Sequence, residues 1–211
     1  MIGRTLKPGG LDLSGRRVRL RTLTEDDYPT WYSVRARCRD WLVPWEPRPP
    51  GAPPAAEDRA TFAARCMARE RERQLGGGFG FGIFVTDQAG GERMAGEVTL
   101  SSIQRGPFQS GYVGYWVDRD LAGYGLAPEA VVVVLRFAFE DVGLHRVEIA
   151  IVPRNSASVR VVEKLGIRLE GVAVRFLEID GRWEDHARYA ITAEEWHERR
   201  AELVSAWLEP V

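Results

Sequence analysis

GYVGYWVDRDLAGYGLAPEA, residues 111–130, joins an apolar strand to an apolar helix through a polar turn and two glycines, at 123 and 125. In physical terms this is an anion cradle. Glycine lets the backbone come close to a ligand, and the free amides at a helix N-terminus point at a phosphate. A side chain at Gly125 is expected to sit where that phosphate approaches. Taken alone, a glycine pair before a helix is also what an ordinary tight turn looks like. The stretch is neither a Walker motif, which needs Gly-Lys-Ser/Thr, nor a dinucleotide fingerprint, which needs a third glycine and a downstream acid.

Downstream lies HRVEIAIVPRNSASVRVVEKLGI, residues 145–167. It reads as a strand to Val152 and a helix from Ser156 to Leu165, with Asn155 at the helix start. Asn155 and Ser158 share a face at i, i+3. The pair is either a helix cap with an incidental serine or two groups offered to a ligand. Upstream, Arg17 to Thr22 alternates charged and apolar residues and predicts a half-buried strand. Thr24 then caps a helix, with Glu25, Asp26 and Asp27 in its first turn, that runs to about Arg39. The stretch WLVPWEPRPPGAPPAAED, 41–58, holds six prolines and must be irregular. A charged helix over 58–75 stops at Gly76, Gly77 and Gly78. Strands follow over 79–86, 94–103 and 109–117, and an apolar helix runs over 126–142. Two further strands, 168–179 and 183–191, flank Asp180-Gly181, a hairpin turn signal. Thr192 and Glu195 form a capping box for a last helix to about Trp207. This order predicts a mixed α/β or α+β sheet with flanking helices.

At 211 residues the chain is expected to form a single domain, with residues 1–15 loosely attached. Its 45% hydrophobic and 28% charged residues place it among globular proteins. The longest apolar run, VVVVLRFAF, is broken by Arg136 and is shorter than the roughly 18 residues of a spanning helix, so no membrane partner is expected. Net charge is −1 without blocks of like charge, which argues against unaided binding to nucleic acid. Cys38 and Cys66, the two cysteines, both fall in predicted helices. They support neither a disulfide scaffold nor a zinc site, no metal-ligand spacing occurs elsewhere, and a reducing cytoplasm fits. The N-terminus has no apolar signal-peptide core.

Together the two central segments resemble the acetyl-CoA motifs of the GCN5-related N-acetyltransferases: a pyrophosphate loop of form Gln/Arg-x-x-Gly-x-Gly/Ala, then strand, Asn, helix and Leu-Gly-Phe. The resemblance covers nearly the whole chain and is most specific to the RimJ and RimL branch, above all the RimJ type, the ribosomal-protein alanine N-acetyltransferases. It is carried by WLVPWEP (41–47), RGPFQSGYVGYWV (105–117), HRVEIAIVPRNSAS (145–158) and LEIDGRWEDHARYAI (177–191). The first and last of these are peculiar to that branch. The resemblance implies an acyl-CoA N-acyltransferase fold, with a mixed, mostly antiparallel central sheet, and acetyl-CoA as cosubstrate. The implied acceptor is the α-amine of a protein N-terminus, a ribosomal protein beginning with Ala or another small residue. A cytoplasmic monomer or homodimer is expected. By residue, the phosphate-loop role falls on Gly123, Tyr124, Gly125, Leu126 and Ala127. The strand edge that pairs with pantetheine falls on Trp116 and Val117, and the side chain holding the pantetheine arm is Asn155. Three positions depart from the superfamily pattern. Asp120 stands where the loop usually begins with Gln or Arg, and Ala150 and Val162 stand where a base Glu and an acid Tyr are usual.

Acetyl transfer from a thioester needs a neutral amine, an oxyanion donor and help for the departing thiolate. An α-amine, with a pKa of about 7.7 to 8.0 against about 10.4 for lysine, is already partly neutral at pH 7 and tolerates a weak base. Ser158 is placed either to hydrogen-bond the leaving sulfur or only to cap the helix. Candidates for the base are Glu97, Glu178, Asp185 and His186; Glu97 either faces the cleft and holds a water or lies on a solvated strand face, and Asp185 either orients the His186 imidazole or the two make a structural hydrogen bond. Trp41 and Trp45 either wall a peptide cleft or form a satellite cluster. Two other functions fit the same segments. One is acetylation of a small-molecule amine, which an acidic cleft would favour. The other is a non-catalytic acyl-CoA-binding or ribosome-associated role, suggested by Asp120, Ala150 and Val162.

Overall fold

A computed structural model of the chain describes residues 11–48, 57–86 and 90–210. Residues 1–10 of the segment expected to be loosely attached, and 49–56 of the proline-rich stretch, lie outside the described residues. Eight strands form one sheet in the order β1-β2-β3-β4-β5-β6-β8-β7. They are β1 (Asp12–Ser14), β2 (Val18–Arg21), β3 (Phe79–Thr86), β4 (Glu92–Gln104), β5 (Ser110–Val117), β6 (Arg146–Ile151), β7 (Arg168–Ile179) and β8 (Arg182–Thr192). Every neighbouring pair is antiparallel except β5 with β6. β1 pairs with β2, and Arg19 forks onto Asp12 across the pair.

Helices α1 (Tyr28–Arg37), α2 (Arg39–Leu42) and α3 (Arg59–Gln74) precede the central strands, and α4 (Leu126–Arg136), α5 (Ser156–Lys164) and α6 (Ala193–Trp207) follow. The first of them begins one turn later than predicted, after a 3-10 turn over Glu25–Asp27. Helical turns also continue beyond Arg39 to Trp45, where prolines predicted irregular chain. Pro44 is tolerated there because it sits in a first turn, where its missing N–H costs nothing. The β7–β8 turn is as predicted, with Asp180 and Gly181 at φ +46° and +79°. The Thr192–Glu195 capping box closes on both sides.

Two clusters of apolar side chains hold the layers. α4, valine-rich and buried from Leu126 to Leu135, packs with Leu20, Phe81, Val98, Val113, Val147 and Ile149 on one side of the sheet. The β-branched run lowers its helix propensity, and burial on all sides overrides that. Under α1 and α3 the second cluster gathers Leu23, Trp31, Val34, Phe62, Phe84 and Met94.

The feature that positions the site lies between β5 and β6. Among the described residues these parallel strands pair only over Ser110–Tyr112 and Arg146–Glu148. Beyond Tyr112, β5 stays with β4 as far as Val117 opposite Gly96, while β6 stays with β8. The strands therefore part like a V. Gly96 permits the close approach of β4: at φ +154° a Cβ there would lie 2.1 Å from the Trp116 carbonyl oxygen.

Candidate active site

The V opens into a cavity of about 770 Å³ that passes through the sheet. Strand alternation divides its walls. Val113, Tyr115 and Val117 of β5 pack toward the α4 core, and Trp116 packs on the other face with the α1 and α3 cluster. On the α4 side the cavity is walled by the loop from Leu121 to Ala127 and by the first turns of α5. On the other side lie Trp41, Trp45, Thr99, Ser101, Gly114, Ala150 and His186.

The loop turns into α4 at its two glycines. Gly123 and Gly125 adopt φ +89° and +82°, the left-handed region that glycine enters without a Cβ clash, and Gly125 is the N-cap of α4. One detail differs from expectation. A Cβ at Gly125 would meet Arg17 Nη2 at 3.1 Å and the Trp207 ring at 3.5 Å, rather than a ligand. Arg17 lies under the loop, donating to the Tyr124 carbonyl and to Glu129, whose carboxylate is fully buried in the first turn of α4. Leu126 and Ala127 line the cavity, whereas the Tyr124 side chain is exposed.

Asp120 points outward beside Arg37, 3.7 Å away. The buried acid of this turn is Asp118, which accepts the Asp120 N–H at 3.1 Å, the Cys38 thiol at 3.3 Å and both Arg37 and Arg93. Two guanidiniums thus offset the acidic charge under the loop. Burial pushes the Cys38 thiol up, so it stays protonated as a donor.

Asn155 Oδ1 accepts the Ser158 N–H at 3.2 Å and caps α5, as the bland alternative had it. Its amide NH₂ makes no hydrogen bond among the described residues, and both Asn155 and Ser158 line the cavity. Tyr115 reaches across from β5 and donates to the Ser158 carbonyl at 3.2 Å. Burial pushes its phenol well above the ordinary value, which keeps it protonated. Sequence reasoning passed over Tyr115, although alternation along β5 opposes it to Trp116 and turns it toward α5.

The base candidates separate. Glu97 lines the cavity but is spent: Oε1 accepts the Trp31 indole at 2.7 Å, and Oε2 accepts Arg69 at 2.9 Å as well as Arg65. Burial pushes its carboxyl up, and the two guanidiniums more than reverse this, holding it below the usual glutamate range. An ionised carboxylate so saturated is a poor proton acceptor. Glu178 is absent from the cavity wall, on which its neighbours Leu177 and Ile179 lie. It pairs across the hairpin with the exposed Trp183. Asp185 does not orient His186, because consecutive strand residues point to opposite faces; its carboxylate accepts the Arg175 N–H at 2.8 Å instead. His186 is buried on the cavity wall, with Nδ1 3.0 Å from the Glu184 carbonyl and its ring against Phe176. A carbonyl only accepts, so Nδ1 carries the hydrogen and Nε2 of the neutral ring keeps a lone pair.

Trp41 and Trp45 do wall the cavity. The Trp41 indole donates to the Val117 carbonyl at 3.3 Å, and Trp45 lies under the Arg154 guanidinium at 4.7 Å. The segment carrying them is stitched to the β7–β8 hairpin by Arg48 N–H to the Glu178 carbonyl, Asp180 N–H to the Glu46 carbonyl and a Pro47–Ile179 bridge. The two segments that sequence marked as peculiar to one branch, 41–47 and 177–191, therefore build one wall.

Among the described residues no helix is long and apolar enough to cross a membrane, and no cluster of His, Cys, Asp or Glu is arranged to hold a metal. Residues 17–168 match the acetyltransferase (GNAT) domain family. The probable N-acetyltransferase YjcK of Bacillus subtilis is 43% identical over 53% of this chain and 60% of its own length. The ribosomal protein uS5-alanine N-acetyltransferase of Escherichia coli is 31% identical over 76% of this chain and 80% of that protein. RimJ of Mycobacterium smegmatis, solved with CoA-disulfide, superimposes with a TM-score of 0.82 at 30% identity, covering 93% of both chains. With its mostly antiparallel sheet parted between β5 and β6 over a helix-capped loop, the chain belongs to the GNAT acetyltransferases and is closely related within them to the ribosomal-protein acetyltransferases of the RimJ and RimL branch.

Proposed function

We propose that this protein transfers acetyl from acetyl-CoA to the α-amine of a protein N-terminus, a ribosomal protein beginning with Ala or a similarly small residue. The observation that carries the proposal is the cavity running through the parted β5–β6 gap, with the glycine loop at the N-terminus of α4 on one side and an aromatic-walled cleft on the other. The residues present fit the cosubstrate: loop amides at Gly123–Ala127 for the pyrophosphate, the free edge of β5 up to Trp116 for the amides of the pantetheine arm, and the Asn155 NH₂ for its carbonyl. The Val117 carbonyl is already used by Trp41, so on this reading the pantetheine pairing falls to its neighbours. The acceptor enters between Trp41, Trp45 and His186.

His186 Nε2 takes a proton from the incoming ammonium, directly or through one water, and leaves the amine lone pair for the thioester carbon. As the C–N bond forms and the C–S bond breaks, the proton still carried in excess by the attacking nitrogen passes to the departing thiolate, which leaves as the CoA thiol hydrogen-bonded by the Ser158 hydroxyl. Tyr115 fixes the turn that carries Ser158. A thiol with a pKa of about 8.5 is a good leaving group and needs little acid strength, so the valine at 162 is no obstacle. A modest base suits an amine already partly neutral at pH 7.

The cleft does not favour a polycationic small molecule. Its two acidic lining residues, Glu46 and Glu97, are paired with Arg35 and with Arg65 and Arg69. The test offers peptides that differ only in which amine is free, the α-amine or a lysine, with acetyl-CoA as donor. Acetylation of the α-amine peptide with an N-terminal small residue is expected. Preference for the lysine peptide, or for free polyamines or aminoglycosides, overturns the acceptor assignment.

A further inference from the structure

Glycine inside a strand gives up side-chain packing and costs backbone entropy, so its presence calls for a reason. Among the described residues most strand glycines have one. A Cβ at Gly80, Gly82 or Gly111 would meet the side chain of Arg69, Leu23 or Leu100 at 2.5, 2.5 and 3.2 Å, and Gly96 and Gly171 lie at φ +154° and +143°. Gly114 has neither reason. It sits inside β5 without positive φ, and a Cβ there would meet nothing within 4 Å. The open space is the cavity, which Gly114 lines. Strand alternation sets the direction: Val113 and Tyr115 pack toward α4, so Gly114 faces the other way with Trp116, toward the side walled by Trp41 and Trp45. Two residues earlier, Tyr112 pairs with Glu148 in the last rung that joins β5 to β6. The next positions on that face are Gly114 and Ala150, one on each arm of the V, with Thr99 beside Gly114 on β4. The two smallest residues of that side of the cavity therefore flank the point where the strands part.

We propose that Gly114 sets the size of the first side chain the acceptor can carry: the space its missing Cβ leaves open, facing Ala150, seats that side chain. This rests on the reading that the acceptor is a protein N-terminus. The α-amine nitrogen has to reach the thioester carbon in the gap between the strands. The first Cβ of the acceptor is two bonds from that nitrogen, so it lies on the acceptor face beside the point of attack. A Cβ on β5 stands out of the plane of the sheet, and at position 114 it would enter that same space. The acyl group lies in the gap itself, where Gly114 offers only backbone, so this position governs the acceptor rather than the donor. A methyl added to the wall at 114 competes directly with the methyl of an N-terminal alanine and leaves an N-terminal glycine less affected.

The experiment compares wild type with Gly114→Ala on two peptides that differ only in beginning with Gly or with Ala. It reads kcat/KM for each peptide with acetyl-CoA, the same with propionyl-CoA as donor, and the melting temperature of both proteins. Because the new Cβ meets nothing and the backbone is not left-handed, Gly114→Ala should melt about 1–4 °C higher. Its Ala-to-Gly ratio of kcat/KM should nevertheless fall about tenfold, the lower end for one methyl group in a specificity pocket. A purely structural glycine would move the melting temperature and leave that ratio alone. An unchanged ratio overturns the proposal. So does a fall in propionyl-CoA turnover relative to acetyl-CoA in its place, which assigns the space to the acyl group. A lower melting temperature, or a variant that does not fold, also overturns it, because the fold would then need the glycine. Wild type that acetylates neither peptide is the failure of the acceptor reading; it is seen before any variant is made and takes the proposal with it.

Discussion

Substituting Gly125 by alanine separates the two demands placed on the loop, conformational and cosubstrate-binding. Gly123, Gly125 and Gly143 lie at φ +89°, +82° and +70°, so an alanine at any of them carries the left-handed penalty of about 1–2 kcal/mol. At Gly123 and Gly143 the new Cβ meets nothing within 4 Å. At Gly125 it meets Arg17 Nη2 at 3.1 Å, and making room shifts a guanidinium bonded to Glu129 and Tyr124 at 2.8 Å each. Loosening one of those bonds adds about 1 kcal/mol, for a total of about 2–3 kcal/mol. At roughly 2–4 °C per kcal/mol for a chain of this size, Gly143→Ala should melt about 2–8 °C lower, and Gly125→Ala several degrees lower again. Only the loop variants should also bind acetyl-CoA more weakly, by about tenfold for one misaligned charge-assisted hydrogen bond. Differential scanning calorimetry and titration of acetyl-CoA on the three variants provide the measurements. If Gly125→Ala binds acetyl-CoA as the wild type does while melting early, the loop is a structural turn and the cradle argument fails.

Two further outcomes follow from the base candidates. Glu97→Gln leaves Arg65 and Arg69 facing a neutral group and should destabilise the fold by about 3 kcal/mol, the lower end for a broken buried pair because both arginines reach solvent. The folded-state pKa of Glu97 is depressed, so its contribution is present above the unfolded value near 4.5 and is lost as pH falls through the folded one; urea unfolding from pH 7 to pH 3 should show a shallower acid limb in Glu97→Gln, and an unchanged limb refutes this. His186→Ala should lower kcat for an α-amine peptide about a hundredfold at pH 7 with little change in KM for acetyl-CoA. The deficit should shrink toward pH 9 as the amine deprotonates by itself, and a deficit independent of pH assigns His186 a packing role.

Elements whose ends are set by local chemistry were legible in the sequence. Two glycines at positive φ, an Asp-Gly turn with both residues left-handed, and a Thr–Glu capping box are each decided within four residues. β1 was missed because three residues carry no periodicity, and what recruits them is Arg19 forking onto Asp12. The fate of Glu97 was illegible for a different reason: its partners Trp31, Arg65 and Arg69 come from two helices far along the chain. Asp185 and His186 mark the opposite case. Strand alternation alone forbids them a common face, so the option that Asp185 orients the His186 imidazole could have been set aside from the sequence.

One of the three positions that depart from the superfamily pattern, Ala150, gains a physical reason from the sheet. Ala150 stands opposite Arg188 in the β6–β8 register, and Arg188 is already drawn onto Glu148 two residues back, with Tyr112 at 3.1 Å. A carboxylate at 150 would lie on the same face as that guanidinium, and its pKa would fall as an ion-pair partner rather than stay near neutrality as a base. Arg188 and Glu148 thus make the β6 side of the gap a closed ion pair. On the proposed reading, proton acceptance then falls to β8, where His186 stands two residues from Arg188 on the same face. The ring is held there by the Glu184 carbonyl on one side and Phe176 on the other. A base moved from β6 to β8 stands on the strand that, with β7, forms the Trp41–Trp45 wall, so proton acceptance and recognition of the acceptor chain share one support.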